Sequence, residues 1–552
     1  MEFDIIIRNG TVYDGGGAPG RKTDIGITDD RITALGDLAG ASAAREINAA
    51  GLAVAPGFID IHSHFDWPII DPDHSDLLSP LLKQGVTTMV TGNCGFSPAP
   101  LSDAYKEIAL RRVLPLLLGG SDASRANVDA MFPWNSMGEF LDHMARQGVA
   151  FNVAELVGHG SIHTAVKGED TAPPNREELE QMKNIARQCL EEGAFGISTG
   201  LGYSPGIFSP QEEIIEFAKI AREYGAMFPS HLQAYSWVSP AYEEIGGEPH
   251  NLRSVKDFIK IGEDTGQPLQ ISHLIFVGQK TWEDTTDAVI GEIEAAAKRG
   301  IDIGFDAYAY TVGISTIAVI FPAWALPDLV NNLKNPEIRE RVWNELEMAK
   351  GMLQFGYDDL TLMWGASPSL TQYEGMNISE IAAARGEEPF DSYCHLVIES
   401  NGLARIFLAQ YSGNENDESV LRRVLAHPLN SFETDCIVTR QGWQYPNAWG
   451  NYPRILGHYV RELKLMTLEE AVRKMTSLPA SRTGLKDRGL LRKGYAADVV
   501  VFNLDTVIDR ATLKDPMQDS VGIDYVLLNG KVVVDNGHYS SGQLHGKVLR
   551  RT

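Results

Sequence analysis

Only four cysteines, Cys94, Cys189, Cys394 and Cys436, occur in 552 residues, and no two form a close CxxC pair. That argues against a disulfide framework and for a reducing compartment, so the expected location is the cytoplasm. No apolar run reaches the about 18 residues that mark a membrane-spanning helix. The opening MEFDIIIRNG lacks a basic stretch followed by an apolar core, and no secretory signal is expected. Positive charge is also scarce: 48 Lys plus Arg stand against 73 Asp plus Glu, a formal charge of -25. Such a surface repels phosphate backbones and acidic lipid, which argues against nucleic-acid and membrane partners. What remains is a folded composition, 43% hydrophobic and 22% charged, long enough for a decorated barrel plus a satellite.

Both ends of the chain read as short strands and turns. Phe3 to Arg8, Thr11 to Tyr13, Asp24 to Ile27 and Arg31 to Leu35 are strand-like, with turn signals at Asn9-Gly10 and Gly15 to Gly17. Near the other end, Asp498 to Phe502 and Asp524 to Leu528 precede an Asn529-Gly530 hairpin turn into Lys531 to Val534. Residues 1–55 and 485–552 are therefore expected to build one small β-sandwich domain from both termini.

Between them, strand and helix patterns alternate. The strand candidates are Val54 to Ile61, Val86 to Gly92, Ala150 to Val157, Ala194 to Ser198, Ala226 to Ser230, Pro268 to Ser272, Ile301 to Phe305 and Ser431 to Thr434. Helical patterns such as Glu177 to Glu192, Gln211 to Tyr224 and Thr286 to Lys298 intervene. Eight such units are the count of an α/β protein with a (β/α)8 TIM-type barrel, here spanning 56–484. An insertion at about 320–425 with helix-like segments of its own is expected as a lid, and Phe321, Trp324 and Trp364 would give it an apolar inner surface.

The chemistry-bearing residues fall at the ends of these strands, the face where such barrels carry active sites. His62-Ser63-His64 follows the first strand, and residues two apart on a strand face the same side, so both imidazoles can aim at one ion. Cys94, set among glycines after the second strand, has the alternative reading of a small buried hydrophobe; as a thiolate it is a zinc ligand. His231 and His273 end the fifth and sixth strands, where either alone could be a core histidine. Asp435 follows the eighth and could merely cap a helix.

The set His62, His64, Cys94, His231, His273 and Asp435 resembles that of the amidohydrolase superfamily, and more narrowly the N-acyl-D-amino-acid deacylase (D-aminoacylase) family. AFGISTGLGY at Ala194 to Tyr203 and MTSLPASRTGLKDRGLLRKGYAADVVVFN at Met475 to Asn503 extend the likeness over nearly the whole chain. The resemblance implies one zinc held tightly by Cys94, His231 and His273, and a second, weaker position lined by His62, His64 and Asp435. It also implies hydrolysis of a linear N-acyl amide by metal-activated water, with Asp435 as general acid and base. The substrate would be an N-acyl amino acid or related N-acyl amine. Tyr203 resembles the family's substrate-contacting tyrosine, while Tyr310 and Ser315 are further substrate-binding candidates with an equally plain packing reading.

A cyclic-amide hydrolase or deaminase on the same scaffold is the enzymatic rival, weakened because Phe195 to Thr199 contains no bridging lysine. A scaffold that had lost catalysis should have lost ligands. The departures from the family concern the substrate. A basic residue is usual two positions after the sixth-strand histidine, where Ile275 stands. The usual His-Pro-Arg reads Tyr445-Pro446-Asn447, and Cys436 replaces the small glycine after the aspartate. Lys280 or Arg440 could substitute for the missing cation.

Overall fold

The computed structural model describes residues 2–112, 131–242 and 247–552. The N-terminal stretch supplies β1 (Glu2–Arg8), β2 (Thr11–Val12), β3 (Arg21–Lys22), β4 (Asp24–Thr28), β5 (Arg31–Gly36), β6 (Ser42–Asn48) and β7 (Ala53–Pro56). Four of them form a sheet in the order β5-β4-β1-β6. Alternation explains it: Ile5 and Ile7 of β1, Ile25 and Ile27 of β4, Ile32 and Ile47 all turn into one buried cluster. Val499, Val501 and Leu527, from the far end of the chain, complete the same cluster.

The helix-and-strand middle begins with β8 (Phe58–Asp60) and continues with β9 (Val86–Thr91), β10 (Asn152–Glu155), β11 (Val157–Gly158), β12 (Ile197–Gly200), β13 (Pro229–His231), β14 (Leu269–Ile271) and β15 (Ile303–Ala307). The single strand expected over Val54 to Ile61 is thus two. Gly57 is the crossing point: its N–H donates to the Asp498 carbonyl, 2.9 Å away. A Cβ there would come within 2.2 Å of Thr87 Oγ1, so only glycine lets the chain pass from one sheet to the next so close to β9.

All ladders among β8 to β15 are parallel, in the orders β8-β9-β10 and β11-β12-β13-β14-β15. Leu156 alone separates β10 from β11 and donates its N–H to Thr91. Strands buried on both faces need helices on the outside, and amphipathic helices such as Arg176–Glu191, Gln211–Tyr224 and Gln279–Lys298 supply them. The first is started by Asn175, whose side chain accepts from the N–H groups of Glu177 and Glu178.

After β15 come β16 (Gly313–Thr316), β17 (Leu360–Trp364) and β18 (Arg405–Leu408), an antiparallel sheet in the order β16-β18-β17. The insertion therefore starts earlier than expected and carries a sheet as well as helices. It lies against loops that leave the parallel strands: Ser412 N–H donates to Phe276 O at 2.8 Å, and Trp443 N–H to Met363 O at 2.7 Å. Its aromatic residues differ from expectation. Phe321 stacks on Tyr393 within the insertion's own core, with ring centroids 5.2 Å apart. Trp324 is 38% exposed and lies under Arg341. Only Trp364 is buried beside the Gly442 loop.

The parallel series ends with β19 (Asn430–Phe432), bonded to β15. Beyond it, the Asp435 N–H donates to His62 O at 3.0 Å and the His64 N–H to Cys436 O at 2.9 Å. Last come β20 (Val499–Phe502), β21 (Ile523–Leu528), β22 (Lys531–Asp535) and β23 (His538–Tyr539), in a sheet of order β23-β22-β21-β20-β7-β2-β3. Antiparallel pairing of β20 with β7, Val500 opposite Ala55, ties the two chain ends together. Among the described residues no helix is long and apolar enough to cross a membrane.

Candidate active site

The backbone at the strand ends is bent to bring side chains together. Cys94, His273 and Asp435 have φ of 55°, 33° and 47°, a left-handed region that costs non-glycine residues roughly 1–3 kcal/mol each. Gly92 and Gly95, with φ of 76° and 77°, make the same turn around Cys94. A Cβ on Gly95 would stand 2.7 Å from Gly200 N. The β9 and β12 ends therefore approach as closely as backbones can.

The ligand atoms converge in two overlapping groups, each within 4.8 Å: Cys94, His231 and His273, and His62, His64, Cys94 and Asp435. Cys94 Sγ lies 3.5 Å from His273 Nε2 and 3.9 Å from His231 Nδ1. His231 Nδ1 lies 2.8 Å from His273 Nε2. A tetrahedral zinc would hold two nitrogens about 3.4 Å apart and a nitrogen and a sulfur about 3.6 Å apart. The sulfur distances fit, and the nitrogen pair needs only a small opening. Cys94 Sγ is also 3.2 Å from His62 Nε2, so the thiol stands between the two groups. Asp435 Oδ1 is 3.4 Å from both His62 Nε2 and His64 Nε2.

The electrostatics ask for a cation. Burial pushes the Cys94 thiol well up, and Asp435 adds to it; a thiolate here needs a metal charge beside it. Burial holds the His273 imidazole down to about 4. Burial and the neighbouring His273 hold His231 well below the ordinary value. Both are therefore neutral and able to offer a lone pair. Burial would raise Asp435, but His273, His64 and His62 outweigh it and hold the carboxyl low. Burial works against protonation of His64, and its bond to Asp435 overcomes that and raises it.

The other residues singled out in the sequence divide. Tyr203 is at the site: its hydroxyl donates to Cys94 O at 2.8 Å, and its ring centroid is 4.7 Å from that of His231. The Tyr310 hydroxyl donates to Asp509 at 2.9 Å, and Arg454 covers its ring. Ser315 sits in β16 opposite Ile406. Lys280 is paired with Asp284 at 2.5 Å and lies over Trp237. Arg440 is paired with Asp71 at 2.8 Å. Ile275 is buried, and the Asn447 side chain donates to Thr434 O at 3.0 Å.

Several residues around the site were missed. Tyr308 is 1% exposed and packs edge-on against Tyr445, with ring centroids 6.2 Å apart. Burial raises its hydroxyl well above the ordinary value, and the charge of Asp435 adds to the shift. The Asp-x-Tyr-x-Tyr spacing at Asp306 to Tyr310 is the sequence signal for it. Asp60 accepts from both N–H and Oγ1 of Thr434, and burial pushes it to about 7. Asp306 accepts from the His273 N–H at 2.7 Å and lies 3.2 Å from His62 Nδ1.

Comparison with known proteins places this geometry in context. The model of an amidohydrolase family matches residues 45–534. A D-aminoacylase from Alcaligenes xylosoxydans xylosoxydans is 33% identical over 550 residues, 100% of this chain and 98% of that one. An N-acyl-D-glutamate deacylase from the same organism is 32% identical, over 100% of this chain and 97% of that one. Among solved structures, a D-aminoacylase with a binuclear metal centre, described as activated by one metal and attenuated by a second, superposes with a TM-score of 0.80 at 31% identity over 100% of both chains. The N-acyl-D-glutamate deacylase of Bordetella bronchiseptica, complexed with zinc and a phosphonate mimic of the tetrahedral intermediate, gives 0.78 at 30% identity, again over 100% of both chains. A D-hydantoinase, at 16% identity and TM-score 0.55, shares the fold.

Proposed function

The chain belongs to the amidohydrolase family, and from that premise we propose that it is a zinc-dependent hydrolase of linear N-acyl amide bonds. The observation that carries this reading is the meeting of Cys94, His231 and His273 beside His62, His64 and Asp435. We read the parallel strands β8 to β15 and β19 as the eight units of a (β/α)8 barrel, with β10 and β11 as one interrupted strand. We read residues 1–55 and 485–552 as one β-sandwich domain and the segment after β15 as a lid. Four unpaired cysteines suit the cytoplasm.

Cys94, His231 and His273 would hold one zinc, and His62, His64 and Asp435 a second, weaker one. When bound, zinc supplies a Lewis acid that lowers the pKa of water toward about 7 and polarises a carbonyl. The chain's own residues do the rest. Asp435, held as a carboxylate, accepts a proton from the attacking water and delivers it to the departing nitrogen, which leaves poorly without it. Tyr308, buried at the end of β15, is a further candidate to donate to the acyl oxygen. Tyr203 closes the wall over Cys94.

For the substrate we favour an N-acyl amine whose amine side is neutral or apolar over a simple N-acyl-D-amino acid. A buried carboxylate needs a paired cation. Ile275 and Asn447 stand where one would be expected, and Lys280 and Arg440 are already paired. The test is hydrolysis of an N-acyl-D-amino acid and its decarboxylated analogue by metal-stripped and zinc-restored protein. Zinc-dependent turnover with preference for the uncharged analogue is expected. Zinc-dependent preference for the free acid would overturn the substrate choice alone, and turnover without metal would overturn the whole reading.

A further inference from the structure

A line of side chains runs inward from the half-buried Arg482 at the starting ends of β14 and β15 to the metal-facing ends. Arg482, on the helix Ser477–Thr483, bonds Asp302 and Leu269 O, both before or at the strand starts. Its Nε–H also donates to Gln270 Oε1 at 3.0 Å. Gln270 Nε2 donates to Asp306 Oδ2 at 2.6 Å. Asp306 Oδ1 faces the His273 N–H at 2.7 Å and His62 Nδ1 at 3.2 Å. Gln270 and Asp306 are each 1% exposed, so water does not compete for these bonds. Gly304, opposite Gln270 in the ladder, makes the room: a Cβ there would stand 2.9 Å from Gln270 Oε1 and 3.1 Å from Arg482 Nε.

The polarity of this line is fixed from its far end. A guanidinium only donates, so Gln270 must turn its oxygen to Arg482 and its NH2 to Asp306. Asp306 then meets donors on both oxygens and serves as a carboxylate acceptor. His62 Nδ1 must therefore carry the hydrogen, which leaves the Nε2 lone pair facing Cys94 and Asp435. We propose that Arg482, Gln270 and Asp306 form a hydrogen-bond relay that sets the tautomer of His62 and through it the zinc affinity of the weaker position. This rests on the reading of His62 as a metal ligand. His62, Asp306 and Glu433 also bring ligand atoms within 4.8 Å of one another, but both Asp306 oxygens are already occupied by N–H donors. These are positioning residues, since none but His62 would touch the metal.

The relay can be broken and rebuilt. Asp306→Asn sets an NH2 against the NH2 of Gln270, and flipping Gln270 only moves that conflict to Arg482. Gln270→Glu alone sets two carboxylates together. The double variant Gln270→Glu with Asp306→Asn restores donor-to-acceptor order at every link, with the negative charge moved one residue away from His62. Zinc binding at both positions is measured by dialysis against graded zinc. The His62 tautomer is read from 15N shifts of histidine-labelled protein.

Each single variant should retain the first zinc and bind the second about 10–100-fold more weakly. The double variant should recover most of that loss and the Nδ1-protonated form. A double variant no better than Asp306→Asn would overturn the relay in favour of a purely local charge, and single variants with unchanged second-site affinity would overturn it outright. Should Asp306 variants fail to fold, Arg482→Met, which frees Gln270 to flip, must raise the Nε2-protonated population of His62, and an unchanged tautomer refutes the proposal. His62→Ala serves as the control: undiminished second-zinc binding there would remove the ligand assignment itself, a result distinct from failure of the relay.

Discussion

The backbone N–H of Asp435 donates to the carbonyl oxygen of His62 at 3.0 Å, so the end of β19 is bonded to the end of β8 at the point where their side chains meet. The carboxylate and the imidazole are held in register by main chain, independently of either side chain. Substitutions at these positions can therefore be read as chemistry before they are read as folding.

Asp435→Asn should fold, keep the zinc of Cys94, His231 and His273, and lose most turnover. Asparagine is close in shape but cannot carry the proton in both directions. Loss of a general acid-base group costs typically ~10²–10⁴-fold, and kcat on a verified amide substrate should fall by at least the lower figure. Near-normal kcat with zinc retained would remove Asp435 from the proton path.

Cys94→Ala should lose the tighter zinc. The substitution deletes one of three ligands and the thiolate charge, and Cys94 also stands 3.2 Å from His62 Nε2, so both positions weaken. Metal content after dialysis, compared with wild type, measures it. Full zinc retention would mean that the thiol is only a buried small side chain.

His273 gives the metal-free protein a defined pH response. Its folded value of about 4 lies below the ordinary value of about 6.5. The unfolded chain therefore binds the extra proton between these limits. The stability contributed by neutral His273 is complete above pH 6.5 and is lost as pH falls toward about 4, by roughly 3 kcal/mol over the window. Asp60 and Asp66, which burial pushes to about 7, act in the opposite direction. The measurement is thus a difference: the urea-unfolding free energy of metal-free wild type minus that of His273→Asn. It should climb from pH 4 to 6.5 and then level. A difference independent of pH would show that the imidazole is not held neutral by burial.

Much of the candidate site is legible in the sequence. The two-residue period of a strand puts His62 and His64 on one side, and a cysteine between glycines at a strand end announces an open backbone turn. The terminal strands were legible for the same reason, because Ile5, Ile7, Ile25 and Ile27 alternate toward one core. The boundary at Gly57 was not, since apolar residues continue through it and only the nearness of Thr87 makes glycine necessary. The antiparallel sheet of the insertion was not either, because β16 and β18 are separated by nearly a hundred residues and neither shows its partner locally.

Local sequence determined which chemistry the protein carries: imidazoles, a thiol and a carboxylate at the ends of strands. Only the tertiary structure decided how those groups are used. Tyr308 packs against Tyr445 while Tyr310 bonds Asp509, although both tyrosines lie in one short segment. Asp306 and Gln270 look like an ordinary acid and amide in two buried strands. Their meaning comes from strand register, which sets Gln270 against Gly304 and lets Arg482 reach in. Hydrogen-bond direction belongs to the whole line of contacts, so no single segment of sequence contains it.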